Sequence, residues 1–313
     1  MKLSVVIPLY NKESTIVKCL NSVTSQTLLP NEIIIINDGS TDSSAKLVET
    51  IIANHLHLDI KLIDQVNKGV SQARNLGIKT AKNELIALLD ADDEWHKDYT
   101  LLMGKLIQNY PDAGIYSSFH KKKDADGNFF LPFHILQQEF MGYIPDYFET
   151  SIKVPLINSS CVILSKSCFV EQGGFKVGAK VTEDLLLWFK FASNYKVAHI
   201  NKPLVTINQF PDNSRKNRKY ELPVIIEYFN YNRDIYKNLN KSQKRYLFSV
   251  SNKQIIGSLL DSNYLEYFKR LKLSYKLFGI KSFRDLLLLF ITPYGLRFIR
   301  NFKRKLMSRN TLK

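Results

Sequence analysis

The chain has 313 residues, 45% of them hydrophobic and 12% aromatic, which supplies a full core and excludes a disordered or fibrous protein. Its three cysteines, Cys19, Cys161 and Cys168, form no CxxC pair and leave an odd count, which argues against a disulfide scaffold or a zinc site and fits a reducing cytoplasm. The formal charge of +15 is unevenly placed: residues 211–313 hold 23 Lys and Arg against 7 Asp and Glu, a net +16, whereas residues 1–210 hold 21 against 22, a net −1, so two regions with different surroundings are implied.

The N-terminal "MKLSVVIPLYNK" has one basic residue and a short apolar run before Pro8, and reads as a first strand rather than a secretory signal. Four Ile-, Val- and Leu-rich runs without strict alternation follow one another: "LSVVIP" (3–8), "EIIIIND" (32–38), "DIKLIDQ" (59–65) and "ELIALLD" (84–90). They read as strands covered on both faces. Between them, residues 12–27 place Ile16, Val17, Leu20 and Val23 at helical spacing, and residues 42–54 do the same with Leu47, Val48, Ile51 and Ile52, with Ser40 and Thr41 as capping candidates. Alternating strand and helix predict βαβ units and an α/β fold with a mostly parallel sheet flanked by helices.

After residue 113 the regularity loosens. "AGIYSSFHKK" and "GNFFLPF" flank an Asp-Gly hairpin turn in "KDADGN", "LINSSCVILSK" (156–166) reads as a strand, "CFVEQGGF" as a short helix ended by glycines, residues 182–194 as a helix, and "KVAHI" as a strand. From about residue 220 the pattern is helical. The longest apolar run, "LLLLFI" (286–291), is too short to span a bilayer.

In an open parallel sheet the ligand crevice lies beyond the carboxyl ends of the strands. The residues there are Tyr10-Asn11, Asp38-Gly39-Ser40, Asn67-Lys68-Gly69 and Asp90-Ala91-Asp92-Asp93, all polar or glycine-containing. The last group is the sharpest signal. Neighbouring carboxylates at about 5 Å repel by roughly 3 kcal/mol at an effective dielectric near 20, so such clustering asks for a positive partner. An Asp-x-Asp at a strand end suits a hard divalent cation, Mn²⁺ or Mg²⁺, that bridges to a diphosphate, and the chain holds neither a "GxxxxGK" nor a "GxGxxG" phosphate cradle. The plain alternative is a solvated acidic loop.

The motifs "SVVIPLYNK", "IIIINDGSTD", "NKGVSQARNLGI", "LIALLDADDEW" and "TEDLLLW", in this order, resemble glycosyltransferase family 2 over roughly residues 1–210. The resemblance implies a GT-A fold and transfer of sugar, with inversion, from a nucleotide-sugar, above all a UDP-sugar, to a glycan or lipid-linked acceptor in cell-surface polysaccharide synthesis. The lack of a "QxxRW" motif after Asp184 and of an apolar run long enough to span a bilayer favours a single-sugar transferase over a processive synthase. It divides the chain into a catalytic domain 1–215, with a nucleotide-binding half 1–112 and an acceptor half 113–215, and a helical basic extension 216–313. By the same resemblance Asp90 and Asp92 hold the metal, with Asp93 as a helper. Pro8, Tyr10, Glu13, Asp38, Arg74 and Ala91 line the nucleotide site with them. Asp184 is the base that takes the proton of the acceptor hydroxyl, and Glu183 binds the acceptor.

Each residue also has a structural reading: Asp38 an Asp-Gly-Ser turn, Tyr10 a core-edge ring, Arg74 an exposed helix residue, and Glu183 and Asp184 a complement to a helix dipole. Trp95 and Trp188 follow acidic motifs and are candidates to wall the sugar or acceptor pocket, with core packing as the alternative. Relatives carry a His after the last catalytic strand, where this chain reads "TINQFPDNSRKN" (206–217), leaving Arg215 or Lys216 as substitutes. The six histidines are scattered, and structural or surface roles are expected for most.

The stretch "YGLRFIRNFKRKLMSR" (294–309) separates Phe298, Ile299, Phe302 and Leu306 from Arg297, Arg300 and Arg304 on a helix, which suits peripheral attachment to an anionic membrane surface at the inner face of the plasma membrane. Two rival functions stand beside the transferase. A nucleic-acid-binding protein would use the basic tail, against a near-neutral N-terminal region with acidic clefts. A sugar nucleotidyltransferase would need a glycine-rich loop after strand one, and "PLYNKEST" has no glycine.

Overall fold

A computed structural model describes residues 1–132, 136–137, 139–179, 181–209, 222–260 and 264–279. The chain divides into two units, Met1–Asp212 and Asn213–Lys313. In the first, the apolar runs become β1 (Leu3–Leu9), β2 (Glu32–Asn37), β3 (Ile60–Asp64) and β4 (Leu85–Leu88), joined by α1 (Ile16–Thr24), α2 (Ser44–Asn54) and α3 (Val70–Thr80). These four strands pair in parallel in the order β3-β2-β1-β4. Successive side chains leave a strand on opposite faces. Leu3, Val5, Ile7 and Leu9 share one core with Ile16, Leu20 and Val23 of α1 and Val48 of α2, whereas Val6 and Ile36 meet α3 on the other face. Cover on both faces explains the lack of polar alternation.

The chain continues through β5 (Glu94–Trp95), α4 (Tyr99–Asn109), β6 (Ala113–Lys123), β7 (Phe129–Phe130), β8 (Met141–Tyr143), α5 (Tyr147–Lys153) and β9 (Val162–Ser165), then α6 (Lys166–Glu171), α7 (Glu183–Asn194) and β10 (Lys196–Asn208). The sheet runs β3-β2-β1-β4-β9-β6-β10-β5, with β7 on β6 and β8 on β10. It is parallel through its first four strands and mixed beyond them. Because β9 is antiparallel to both β4 and β6, and β10 is parallel to β6, the carboxyl ends of β1, β2, β4, β6 and β10 open on one edge.

Three local departures from the sequence reading have physical causes. Helix α1 starts at Ile16 rather than near residue 12, because Lys12–Thr15 forms a turn in which Thr15 N and Ile16 N both donate to Lys12 O. Neither Ser40 nor Thr41 caps α2. Their polar groups bind Asn11 instead, and Ser43 takes the cap position. Residues 159–161 form a 3-10 turn before β9, not strand.

The second unit is helical among its described residues: α8 (Val224–Tyr231), α9 (Arg233–Asn238), α10 (Lys241–Leu260) and α11 (Tyr264–Phe278). Ile255, Tyr267 and Leu271 join α10 to α11, and the rings of Phe229, Tyr236, Phe278 and Phe248 follow one another edge to face. Arg270 is buried and bonds to Glu266 and to Gln254 O, while Arg233 donates to the terminal carbonyls of α11 at Lys276 and Leu277. Arg215, Lys216 and the 294–309 stretch lie outside the described residues. No helix among the described residues is long and apolar enough to cross a membrane.

The seating of α3 depends on Gly77. A Cβ there would lie 2.3 Å from Val6 Cγ1 and 3.3 Å from Ile36 Cγ1, so G77A is expected to lose about 1–3 kcal/mol by overpacking. The measurement is the urea midpoint, which should fall.

Candidate active site

The strand exits on the carboxyl edge are tied to one another. Past β1, Asn11 takes the left-handed conformation (φ 49°), donates its N–H to Ser40 Oγ at 3.1 Å and accepts from Thr41 N at 2.8 Å. Pro8 is half-buried within β1 and Tyr10 is 45% exposed beyond it. Glu13 is exposed; its Oε2 accepts from Ser43 N at 2.9 Å, which makes it the acceptor at the start of α2. Asp38, past β2, is buried and accepts from Gln65 Nε2 (2.6 Å), Lys68 N and Gly69 N (both 2.8 Å), and so braces the loop that starts α3.

Past β4 the four acidic side chains meet four different environments. Asp90 Oδ1 accepts from Arg74 Nη2 at 2.6 Å. Asp92 Oδ2 pairs with Lys12 Nζ at 2.8 Å. Asp93 is buried, accepting from Ser160 Oγ at 2.5 Å and from Asn208 N at 3.0 Å. Glu94 Oε1 accepts from Asn208 Nδ2 at 3.2 Å. The loop backbone is held as well: Asp90 N donates to Ser160 Oγ, Thr15 Oγ1 donates to Ala91 O, and Asn208 Nδ2 donates to Asp92 O. Burial, then the Asp90 and Asp92 charges, push the Asp93 carboxyl well above the ordinary range, against the pull of its two donors.

Arg74 is the centre of the cluster and not the exposed helix residue of the plain reading. It is buried on α3, with its guanidinium 5.3 Å over the Phe175 ring and Nη1 3.9 Å from Glu183 Oε1. Burial opposes its charge, yet Asp90, Glu183 and Asp184 hold its pKa above the ordinary value. Removing one partner of such a buried pair costs about 3–5 kcal/mol.

Glu183 and Asp184 open α7 directly after Thr182, a β-branched residue at φ 64°. A left-handed Thr stores about 1–3 kcal/mol of strain, which surrounding structure must hold, and such strain gathers at functional sites. Asp184 is half-buried, with Oδ1 accepting from Leu185 N at 2.7 Å. Burial raises its carboxyl above the ordinary aspartate range; Arg74 pulls it down and Asp90 pushes it up.

The structure thus brings Arg74, Asp90, Glu183 and Asp184 into one cluster, with Asp92 beside it and Pro8, Tyr10, Glu13 and Asp38 along the same strand edge. It does not bring Trp188 to a surface. That ring is fully buried, edge to face with Phe175 at 5.8 Å. Trp95 is also buried, stacked on Tyr99 and donating to Ser160 O. Among the other histidines, His199 is buried against Ser117 Oγ, and burial lowers His120 to about 4. Sequence reasoning missed Ser160 and Asn208, whose bonds to the acidic loop span 67 to 116 positions of chain and leave no local trace.

No group of three or more His, Cys, Asp or Glu side chains able to hold a metal occurs among the described residues. The donor set fits a different kind of site. Asp90 and Asp92 present hard carboxylate oxygen with side chains 31% and 30% exposed, and a Mg²⁺ or Mn²⁺ ion held by two carboxylates completes its shell with water and phosphate oxygens.

Residues 4–172, more than half of the chain, match the family model described as Glycosyl transferase family 2. Glycosyltransferase GlyA of Streptococcus pneumoniae is 31% identical over 212 residues, covering 65% of this chain and 30% of GlyA. The chain spans about a third of the length of the first curated relatives it matches. Among solved structures, TarS of S. aureus in complex with UDP-GlcNAc aligns with a TM-score of 0.68 at 20% identity, covering 88% of this chain and 82% of that one. GalNAc-T7 with UDP, GalNAc and Mn²⁺ aligns with a TM-score of 0.53 at 17% identity, over 67% of this chain and 44% of that one. At such identities the likeness carries the fold, which is GT-A.

The raised Asp93 carboxyl has a consequence for stability. Its folded pKa exceeds the unfolded value of about 3.9, so the stability it lends at low pH is lost as pH rises through that interval. Asn at 93 cannot ionise. The D93N protein is expected to gain on the parent in urea midpoint as pH rises above the ordinary aspartate range; a difference that stays constant would place Asp93 in that ordinary range.

Proposed function

The chain belongs to glycosyl transferase family 2, and from that premise we propose that it is an inverting transferase that moves one sugar from a nucleotide-sugar, of the UDP class, to a hydroxyl of a glycan or lipid-linked acceptor in the synthesis of a cell-surface polysaccharide. The observation that carries this reading is the convergence of Asp90 and Glu183 on Arg74, a carboxylate at a strand end and a carboxylate at a helix start, with Asp184 next to Glu183 and within the field of the same guanidinium. The structures of TarS with UDP-GlcNAc and of GalNAc-T7 with UDP, GalNAc and Mn²⁺ support the donor class.

Pro8, Tyr10 and Asp38 stand at the exits of β1 and β2, where the nucleoside is received, and the Ala91 backbone between the two metal-binding carboxylates flanks the diphosphate. Asp90 and Asp92 would hold a divalent cation, which when bound supplies Lewis-acid stabilisation of the departing nucleoside diphosphate. Asp184 accepts the proton of the acceptor hydroxyl as that oxygen forms its bond to the anomeric carbon. The bond from that carbon to the diphosphate oxygen breaks on the opposite face, its electron pair leaves with the nucleoside diphosphate, and the centre inverts. Glu183, buried at the helix start, shapes the acceptor side. A carboxyl raised by burial is the better matched base, since general-base catalysis is most efficient when the base pKa approaches the working pH. Peripheral attachment at the inner face of the plasma membrane through the basic C-terminal stretch completes the reading.

Replacement of Asp184 by Asn is expected to lower kcat by about 10²–10⁴-fold while leaving UDP affinity near that of the parent. In the parent, activity should fall with decreasing pH along a limb above the value of about 4 for an ordinary aspartate, because the base must be deprotonated. Turnover of D184N at the parent rate, with a UDP-sugar panel and Mn²⁺ present, removes the assignment.

A further inference from the structure

Lys12, in the turn past β1, reaches the acidic loop past the neighbouring β4, with Nζ 2.8 Å from Asp92 Oδ2. Its backbone is pinned. Lys12 N donates to Ser44 Oγ at 2.8 Å, its carbonyl accepts from Thr15 N at 3.0 Å and Ile16 N at 2.9 Å, and Thr15 Oγ1 donates to Ala91 O at 3.0 Å. The root of the lysine is therefore fixed relative to the Asp90-Ala91-Asp92 backbone. The tip is not enclosed: the Lys12 side chain is 26% exposed and that of Asp92 30%. Arg74 differs in its enclosure, with a side chain 6% exposed and its guanidinium on Asp90 beside Glu183. One cation is enclosed and the other is partly open to solvent.

Resting on the function proposed above, we propose that Lys12 is a diphosphate-binding residue which, in the ligand-free protein, occupies Asp92 in place of the divalent cation and passes to the donor's diphosphate when that cation binds. An ammonium and a divalent cation compete for the same carboxylate and repel each other there. A single partly exposed ion pair yields to a doubly charged competitor. The displaced ammonium, on a flexible four-carbon stem, then has the negative diphosphate as its partner in the same cleft, and a lysine serves there as a point charge. Lys12 thus guards Asp92 in the empty protein and supplements the metal in the loaded one.

This assignment makes two effects of one substitution opposite in sign. In K12Q, Mn²⁺ alone, followed by EPR on the full chain, is expected to bind about two- to fivefold tighter because its internal competitor is gone. UDP in the presence of saturating Mn²⁺, followed by calorimetry, is expected to bind several-fold more weakly. K12R, which keeps the charge, should follow the parent in both titrations. A lysine that only ties two loops together moves neither affinity or weakens both, and either result overturns the proposal, provided the urea midpoint of K12Q stays within that of the parent. D92N separates this inference from the reading beneath it. If D92N loses Mn²⁺ binding while K12Q shows no opposed shifts, the role of Lys12 alone is refuted; if D92N binds Mn²⁺ as the parent does, the metal assignment to Asp92 fails with it.

Discussion

A single buried guanidinium makes the carboxylate-rich edge of this sheet tenable. Arg74 remains charged at any accessible pH, and its planar fork serves carboxylates arriving from two distant parts of the chain, Asp90 at the exit of β4 and Glu183 at the start of α7, with Asp184 beside it. Without it, Asp90 and Asp184 would raise each other's cost of ionisation in a poorly solvated corner. Its own position is set by packing. Arg74 lies one turn before Gly77, and the close approach of that glycine to Val6 and Ile36 seats α3 against β1 and β2. A steric detail on one sheet face thus fixes an electrostatic one at the sheet edge.

Around this centre the loops hold one another rather than relying on their own turns. Asn11 bridges the exits of β1 and β2, Glu13 serves the start of α2, Asp38 braces the entry to α3, and Asn208 at the end of β10 holds Asp92, Asp93 and Glu94 together. Side chains that look like ligand contacts in the sequence are in part the struts of the cleft. The two uses are compatible, since a carboxylate has about four acceptor positions and the three bonds to Asp38 leave one. Preorganised groups of this kind stabilise developing charge without reorganising during the reaction.

What the sequence disclosed follows the range of each interaction. Continuous Ile, Val and Leu runs announce doubly covered strands, and the polar residues that end them announce the cleft, because both signals are local. The Asp90-Ala91-Asp92 loop was legible for the same reason. The partners that make the loop stable were not: Lys12, Ser160 and Asn208 come from three separate segments and meet it only through the topology. Capping at Ser40 and Thr41 failed because tertiary bonds to Asn11 outbid a local motif. Trp188 shows the complementary limit, for adjacency to an acidic pair does not tell which side of α7 faces the core.

The acidic run after β4 shows how environment, not residue type, divides labour among like side chains. Asp93 is withdrawn into the core, where burial favours its neutral form and Ser160 and Asn208 make it a fastener. Asp90 is paired with a buried guanidinium. Asp92 is paired with a partly exposed ammonium. At Asp184, far along the chain, burial raises the carboxyl above the ordinary aspartate range while Arg74 pulls in the opposite direction. Net charge alone would make this corner a defect. Distributed in this way, it matches the function proposed above, in which displacement of a diphosphate by a hydroxyl would draw on Asp90 and Asp92 as anions and on Asp184 as base.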